Sequence, residues 1–186
     1  MTDLSLHIGQ TLRDLRQQRG WSLDKTAQAT GVSKAMLGQI ERGESSPTVV
    51  TLWRISSGLQ ASFSEFLPKQ LTDAEPASLH HEDEAITAQT LLGYDAQLGY
   101  EVLLITLQAG YTHNSYAHDK GVVEDILMIE GEVEVQVEGT WHSVTVSKPL
   151  RFRAEQTHSY RNRGSAVAKF HNIVHYSQPT KMQREV

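Results

Sequence analysis

The chain has 186 residues, 39% of them hydrophobic, with 17 Lys and Arg against 22 Asp and Glu. That length holds two small domains or one medium one, and the net charge of -5 argues against a generic nucleic-acid binder. Disulfides and thiolate metal sites are excluded because there is no cysteine, and no stretch is apolar enough to span a membrane or patterned as a signal peptide, so a cytoplasmic protein is expected.

The first seventy residues read as short helices. Ile8, Leu12 and Leu15 form an i, i+4, i+7 stripe that ends at Arg16-Gln17-Gln18-Arg19-Gly20. Ser22 caps a second helix holding Leu23, Thr26 and Ala27. Gly31 stops that helix by taking a left-handed conformation, Ser33 caps the next one and Gly43 ends it. Val32, Met36 or Leu37, and Ile40 fall on its inner side, which leaves Ser33, Lys34, Ala35 and Gln39 facing out. A major groove admits such a helix end, although a surface helix of an ordinary bundle would look the same. Ser46-Pro47 supplies a cap and a first-turn proline for a fourth helix with Val49, Leu52, Ile55 and Leu59. Phe63 and Phe66 close a fifth, short helix.

Five short helices with a tight turn between the second and third resemble phage-repressor-like (XRE-type) helix-turn-helix domains. The run from Arg16 to Leu59 carries the likeness, which extends over residues 6 to 67. It implies that Lys34, Ala35 and Gln39 face base edges, with Lys34 suited to guanine and Gln39 to adenine, while Ser33, Arg42 and Thr48 lie near phosphates. Leu23 departs from the family pattern, standing where many members carry a phosphate-contacting glutamine. Charge agrees with this division. Residues 1 to 69 hold eight Lys and Arg against six Asp and Glu, and the remainder nine against sixteen. Only the first part is suited to approach phosphates.

Residues 68 to 85 contain Pro68 and Pro76, few apolar residues and no period, and read as a linker. His80-His81-Glu82-Asp83-Glu84 within it reads as a solvated charged run rather than a metal tract. From Ile86 the period becomes 2. Strands are expected at Tyr100 to Leu107, Val133 to Val137, Trp141 to Val146, Arg151-Phe152, His158 to Arg161 and Val167 to Tyr176. Many short strands with frequent turns mean a β-sandwich or barrel. The fold class is therefore α+β in two domains, with residues 1–67 helical, 68–85 a linker, 86–178 all-β and 179–186 a tail.

Eight of the nine histidines lie beyond residue 69, six of them in the β part. His118-Asp119-Lys120 followed by Glu124 and then Gly131 resembles the first motif of the cupin jelly-roll family, and His158-Ser159-Tyr160-Arg161-Asn162 resembles the end of its second. The resemblance implies that His118, Glu124 and His158 are ligands of a divalent metal, Zn first, with Fe, Ni or Mn served by the same donors. Glu124 alternates with Ile126 and Met128, so a carboxylate would stand in an apolar lumen, where it is costly unless paired or coordinated. Lys120 replaces the family's second histidine. It either pairs with Glu124 in place of a metal or faces a ligand's carboxylate. Met128, Tyr160 and His171 are expected to line the ligand pocket. His113 and His175 are weaker candidates, His113 lying in a rim loop.

The two halves together resemble bacterial transcription regulators in which a cupin senses a small molecule, and within them look most like regulators associated with sulfur utilisation. That likeness implies a homodimer on an inverted-repeat operator of double-stranded DNA, half-sites about 34 Å apart, and a small-molecule effector such as an amino acid or sulfur metabolite. It implies a non-enzyme. The rival is a cupin metalloenzyme, since two histidines and a glutamate also form the triad of non-haem iron oxygenases.

Overall fold

The computed structural model describes residues 3–67, 78–79 and 85–176. The tract at His80 to Glu84, most of the linker and the 179–186 tail lie outside them. Four α-helices come first: α1 (Asp3–Gln18), α2 (Leu23–Thr30), α3 (Lys34–Glu41) and α4 (Val49–Gly58). The expected fifth helix is a single 3-10 turn over Phe63–Phe66. Only four residues separate its cap, Ser62, from Leu67, too few for an α-helical ladder, and Pro68 follows in sequence.

Local chemistry sets the helix ends. Gly31 has φ 66° and its N–H donates to the Ala27 carbonyl, while the Ser33 hydroxyl accepts from the Met36 N–H, so the turn and the start of α3 are fixed within three residues. The start of α4 differs from expectation. Thr48, not Ser46, is its cap, accepting from the Thr51 N–H, and Pro47 precedes the helix. Leu37 is fully buried and Met36 42% exposed, which decides between the two for the inner face. Gly9 lets α1 lie directly on α3, for a Cβ there would sit 2.3 Å from the Ile40 carbonyl oxygen. Beside that contact the Arg16 guanidinium makes a two-pronged ion pair with Glu41, at 2.5 and 2.9 Å, and donates to the Trp21 carbonyl at 2.9 Å. Ile8, Leu12, Leu37, Ile40, Leu52, Ile55 and Leu59 fill the core between the helices.

The β half is two antiparallel sheets facing each other across a barrel lumen. Its strands are β1 (Ser78–Leu79), β2 (Ile86–Asp95), β3 (Tyr100–Leu107), β4 (Thr112–Ser115), β5 (Val123–Glu130), β6 (Val133–Val137), β7 (Thr140–Val144), β8 (Leu150–Arg153), β9 (His158–Arg161) and β10 (Ala168–His175). One sheet runs β1-β2-β3-β10-β5-β8, the other β4-β9-β6-β7. Ser78 and Leu79, from the linker stretch, thus add a short edge strand against Gln89 and Ala88. Period-2 alternation turns Leu103, Ile105, Ile126, Met128, Phe170 and Val174 inward.

The domains are joined by a buried carboxyl group. Glu101 begins the inward row of β3 and has no exposed surface. Its two oxygens accept the backbone N–H groups of Phe63 (3.0 Å) and Ser64 (2.8 Å), the orphan donors that open the 3-10 turn, and the Tyr176 hydroxyl. Ser64 returns the contact through its hydroxyl, which accepts from the Tyr94 N–H at 2.9 Å. Glu101→Ala should lower unfolding stability by roughly 3 kcal/mol, since three buried donors lose their acceptor, as read by denaturant titration of the full chain.

Candidate functional site

The exposed end of α3 carries the residues that the sequence assigns to DNA. Lys34, Ala35 and Gln39 are exposed on one side, with Ser33 exposed at the cap and Arg42 at the opposite end. Thr48 is exposed at the start of α4. Both cations are engaged: Lys34 Nζ lies 2.7 Å from Asp24 and the Arg42 guanidinium 2.7 Å from Glu44.

In the barrel, His118 precedes β5, Glu124 is its second residue and His158 opens β9. Their ligand-capable atoms lie within 4.8 Å of one another. Glu124 Oε1 is 2.8 Å from His118 Nε2 and 3.5 Å from His158 Nε2. Its other oxygen accepts the Tyr160 hydroxyl and, at 3.0 Å, the Asn172 amide. His158 Nδ1 is 3.0 Å from the Gln156 carbonyl. A carbonyl only accepts, so Nδ1 carries a proton, and whenever the ring is neutral its Nε2 lone pair faces the cluster. That Nε2 is buried without a hydrogen-bond partner. An orphaned imidazole nitrogen beside a buried carboxylate fits the donor set of a divalent metal.

Electrostatics follow from burial. Desolvation pushes the Glu124 carboxyl up, but the charge of His158 and the close contact and charge of His118 outweigh it and hold the group well below the usual carboxylate range. Burial pushes His158 down, yet the charge of Glu124 beside it, helped by the hydrogen bond to the Gln156 carbonyl, leaves it above its usual value. Burial and then the Glu124 charge raise Tyr160 well above the usual phenol value, so it remains a donor. His113 is lowered to about 4, chiefly by burial, and is neutral.

Met128 and Tyr160 are buried on the lumen side as expected. His171 is not. Ala168, Phe170, Asn172 and Val174 occupy the inward positions of β10, which puts His171 on the outer face opposite Leu127. Lys120 is exposed on the loop before β5, and the polar groups found around Glu124 are His118, His158, Tyr160 and Asn172. His113 is not a loop residue. It lies buried in β4 between Trp53 of α4, at 5.2 Å, and Tyr160, at 6.2 Å between ring centroids. Sequence reasoning missed Asn172, which the inward apolar row at Phe170 and Val174 would have located.

A repressor-type helix-turn-helix packed on a two-sheet barrel with an imidazole–carboxylate cluster defines a helix-turn-helix transcription regulator with a cupin domain. The helix-turn-helix family HTH_3 matches residues 12–66. The regulator SutR of Escherichia coli is 45% identical over 95% of this chain and 98% of its own length. The crystal structure of an HTH_3 family regulator from Vibrio cholerae, 44% identical, superposes with a TM-score of 0.82 over 95% of this chain and 99% of that one. The Cupin_2 domain of an XRE family regulator from Enterobacter cloacae is 31% identical over 50% of this chain and 99% of that one, at a TM-score of 0.49. The chain belongs to the XRE-type family of helix-turn-helix transcription regulators represented by SutR. No helix among the described residues is long and apolar enough to cross a membrane.

Replacing Tyr160 by Phe removes a donor from a carboxylate that is 1% exposed. The full chain should lose roughly 1–3 kcal/mol of unfolding stability, measured without added metal.

Proposed function

We propose that this chain is a sequence-specific, cytoplasmic DNA-binding regulator that acts as a homodimer on an inverted repeat and senses a small molecule at a metal centre in its cupin domain. Residues 1–67 read DNA and residues 86–178 form the sensor. The observation that carries the sensing part is the buried His158 Nε2, unpartnered and aimed at the Glu124 carboxylate. His118, Glu124 and His158 would hold the ion, zinc first, with Fe, Ni and Mn as alternatives. Three protein donors leave coordination positions for a small anionic or zwitterionic effector, and a bound ion would supply Lewis acidity there.

The chain's own groups prepare the centre. The Gln156 carbonyl fixes the tautomer of His158. Tyr160 and Asn172 hold one oxygen of Glu124 and leave the other toward the histidines. Ile126, Met128 and Phe170 give the lumen around it an apolar lining. The donor set also serves non-haem iron oxygenases, but kinship over nearly the whole chain with a named transcriptional regulator favours the sensor.

Two experiments test the proposal. In fluorescence anisotropy on an operator selected from genomic DNA, Gln39→Ala should cost roughly 1–3 kcal/mol and relax preference at one base pair, whereas Arg42→Ala should weaken all sequences alike. An unchanged preference in Gln39→Ala means that the recognition helix is misassigned. Elemental analysis after loading with zinc should find about one ion per chain in the wild type and far less in His158→Ala. Wild-type protein that retains no ion with any of the four metals removes the metal from the proposal.

A further inference from the structure

The segment that carries His118 into the His118–Glu124–His158 cluster is covered by the helical domain itself. Val50, Trp53, Arg54 and Ser57 recur at i, i+3, i+4 and i+7, so one face of α4 meets the segment from His113 to Asp119 that delivers His118. The Trp53 ring packs at 5.2 Å from His113, and the Arg54 guanidinium lies 4.8 Å over the Tyr116 ring. Just past the helix, Gln60 Nε2 donates to Asp119 at 3.1 Å. Between these contacts is a cavity of about 10 Å³ bordered by Val50, Trp53, Ser57, His113, Tyr116 and His118. That volume is room for about one water molecule.

We propose that the effector binds across the domain boundary: it coordinates the metal through this cavity, its remainder lies under α4 against Trp53, and α4 must lift to admit it. This inference rests on the metal reading above. The wall opposite α4 is a hydrogen-bonded sheet, while α4 meets the rim through side chains, so α4 is the side that yields. The class of ligand follows from the lining. A metal-coordinating group at one end and a flat or apolar body against Trp53 and Tyr116 match this lining once α4 has lifted. The buried Arg54 Nε, which has no hydrogen-bond partner, favours an anion. Lifting α4 also moves its capped start at Thr48, which belongs to the DNA face, so occupancy and DNA affinity are coupled through one rigid helix.

The test uses the full chain with Trp21→Phe and Trp141→Phe, leaving Trp53 as the only indole, and benzohydroxamate as the probe, a metal-coordinating group that ionises on binding joined to a flat ring. Zinc alone should leave Trp53 emission unchanged, and zinc with benzohydroxamate should shift it to longer wavelength as the indole leaves His113. In the cobalt-loaded chain, followed by visible absorption, Gln60→Ala should bind benzohydroxamate roughly threefold more tightly, because a contact of the closed state is gone and the metal ligands are untouched. If cobalt binds and the probe changes its spectrum, yet Trp53 emission and the Gln60→Ala affinity do not respond, the lid is refuted and the metal centre stands. If no cobalt spectrum forms, the metal reading fails and the lid falls with it.

Discussion

Everything about the relative placement of the two domains turns on where the first turn of a very short helix finds its acceptors. The N–H groups of Phe63 and Ser64 have no intrahelical partners, and they end on Glu101, a side chain of the other domain. A surface contact between two modules would leave them free to reorient. A carboxyl group with no exposed surface, fully satisfied only while both modules are docked, penalises separation by stranding the Phe63 and Ser64 donors and part of its own accepting capacity. The docking then places α4, which ends five residues before Phe63, over the rim of the barrel.

Inside the barrel a second carboxylate obeys the same rule by other means. Glu124 sits among aliphatic and aromatic side chains, and its cost of burial is offset by two imidazoles, a phenol and an amide. These partners come from three separate stretches of chain that the sheet pairing of β5 with β10 and of β4 with β9 brings into register. The aromatic series Trp53, His113, Tyr160 connects this cluster to α4 through ring contacts of 5.2 and 6.2 Å. Close packing of this kind transmits displacement because its members have few alternative arrangements.

Much of this was legible in the sequence where the determinants are local. Gly31, Ser33 and the Val32, Leu37, Ile40 face act within one turn, so helix-turn-helix boundaries could be read directly. Position 48 rather than 46 capping α4 was a choice among neighbouring hydroxyls that composition does not decide. The triad was legible through motif spacing, because His118 and Glu124 are six residues apart and strand alternation orients the glutamate. Glu101, His113 and Asn172 were not, since each acquires its role from a partner far along the chain: 38 residues for Glu101 and Phe63, 48 for Asn172 and Glu124. His171 was misplaced for a related reason. Alternation fixes which residues share a face, but the inward side of β10 is set by its two neighbouring strands.

The surface proposed to meet DNA has a quieter property. Lys34 and Arg42 rest against Asp24 and Glu44, so each already holds an anion of its own. Arrival of a nucleic acid would then be an exchange of partners rather than a first encounter of opposite charges, and the displaced carboxylates would remain close to the backbone they have been traded for. Indiscriminate adhesion gains little from such a trade, whereas a site whose base edges satisfy Gln39 gains what the trade does not supply. A regulator so arranged would spend little of its time stranded on the wrong stretches of a genome.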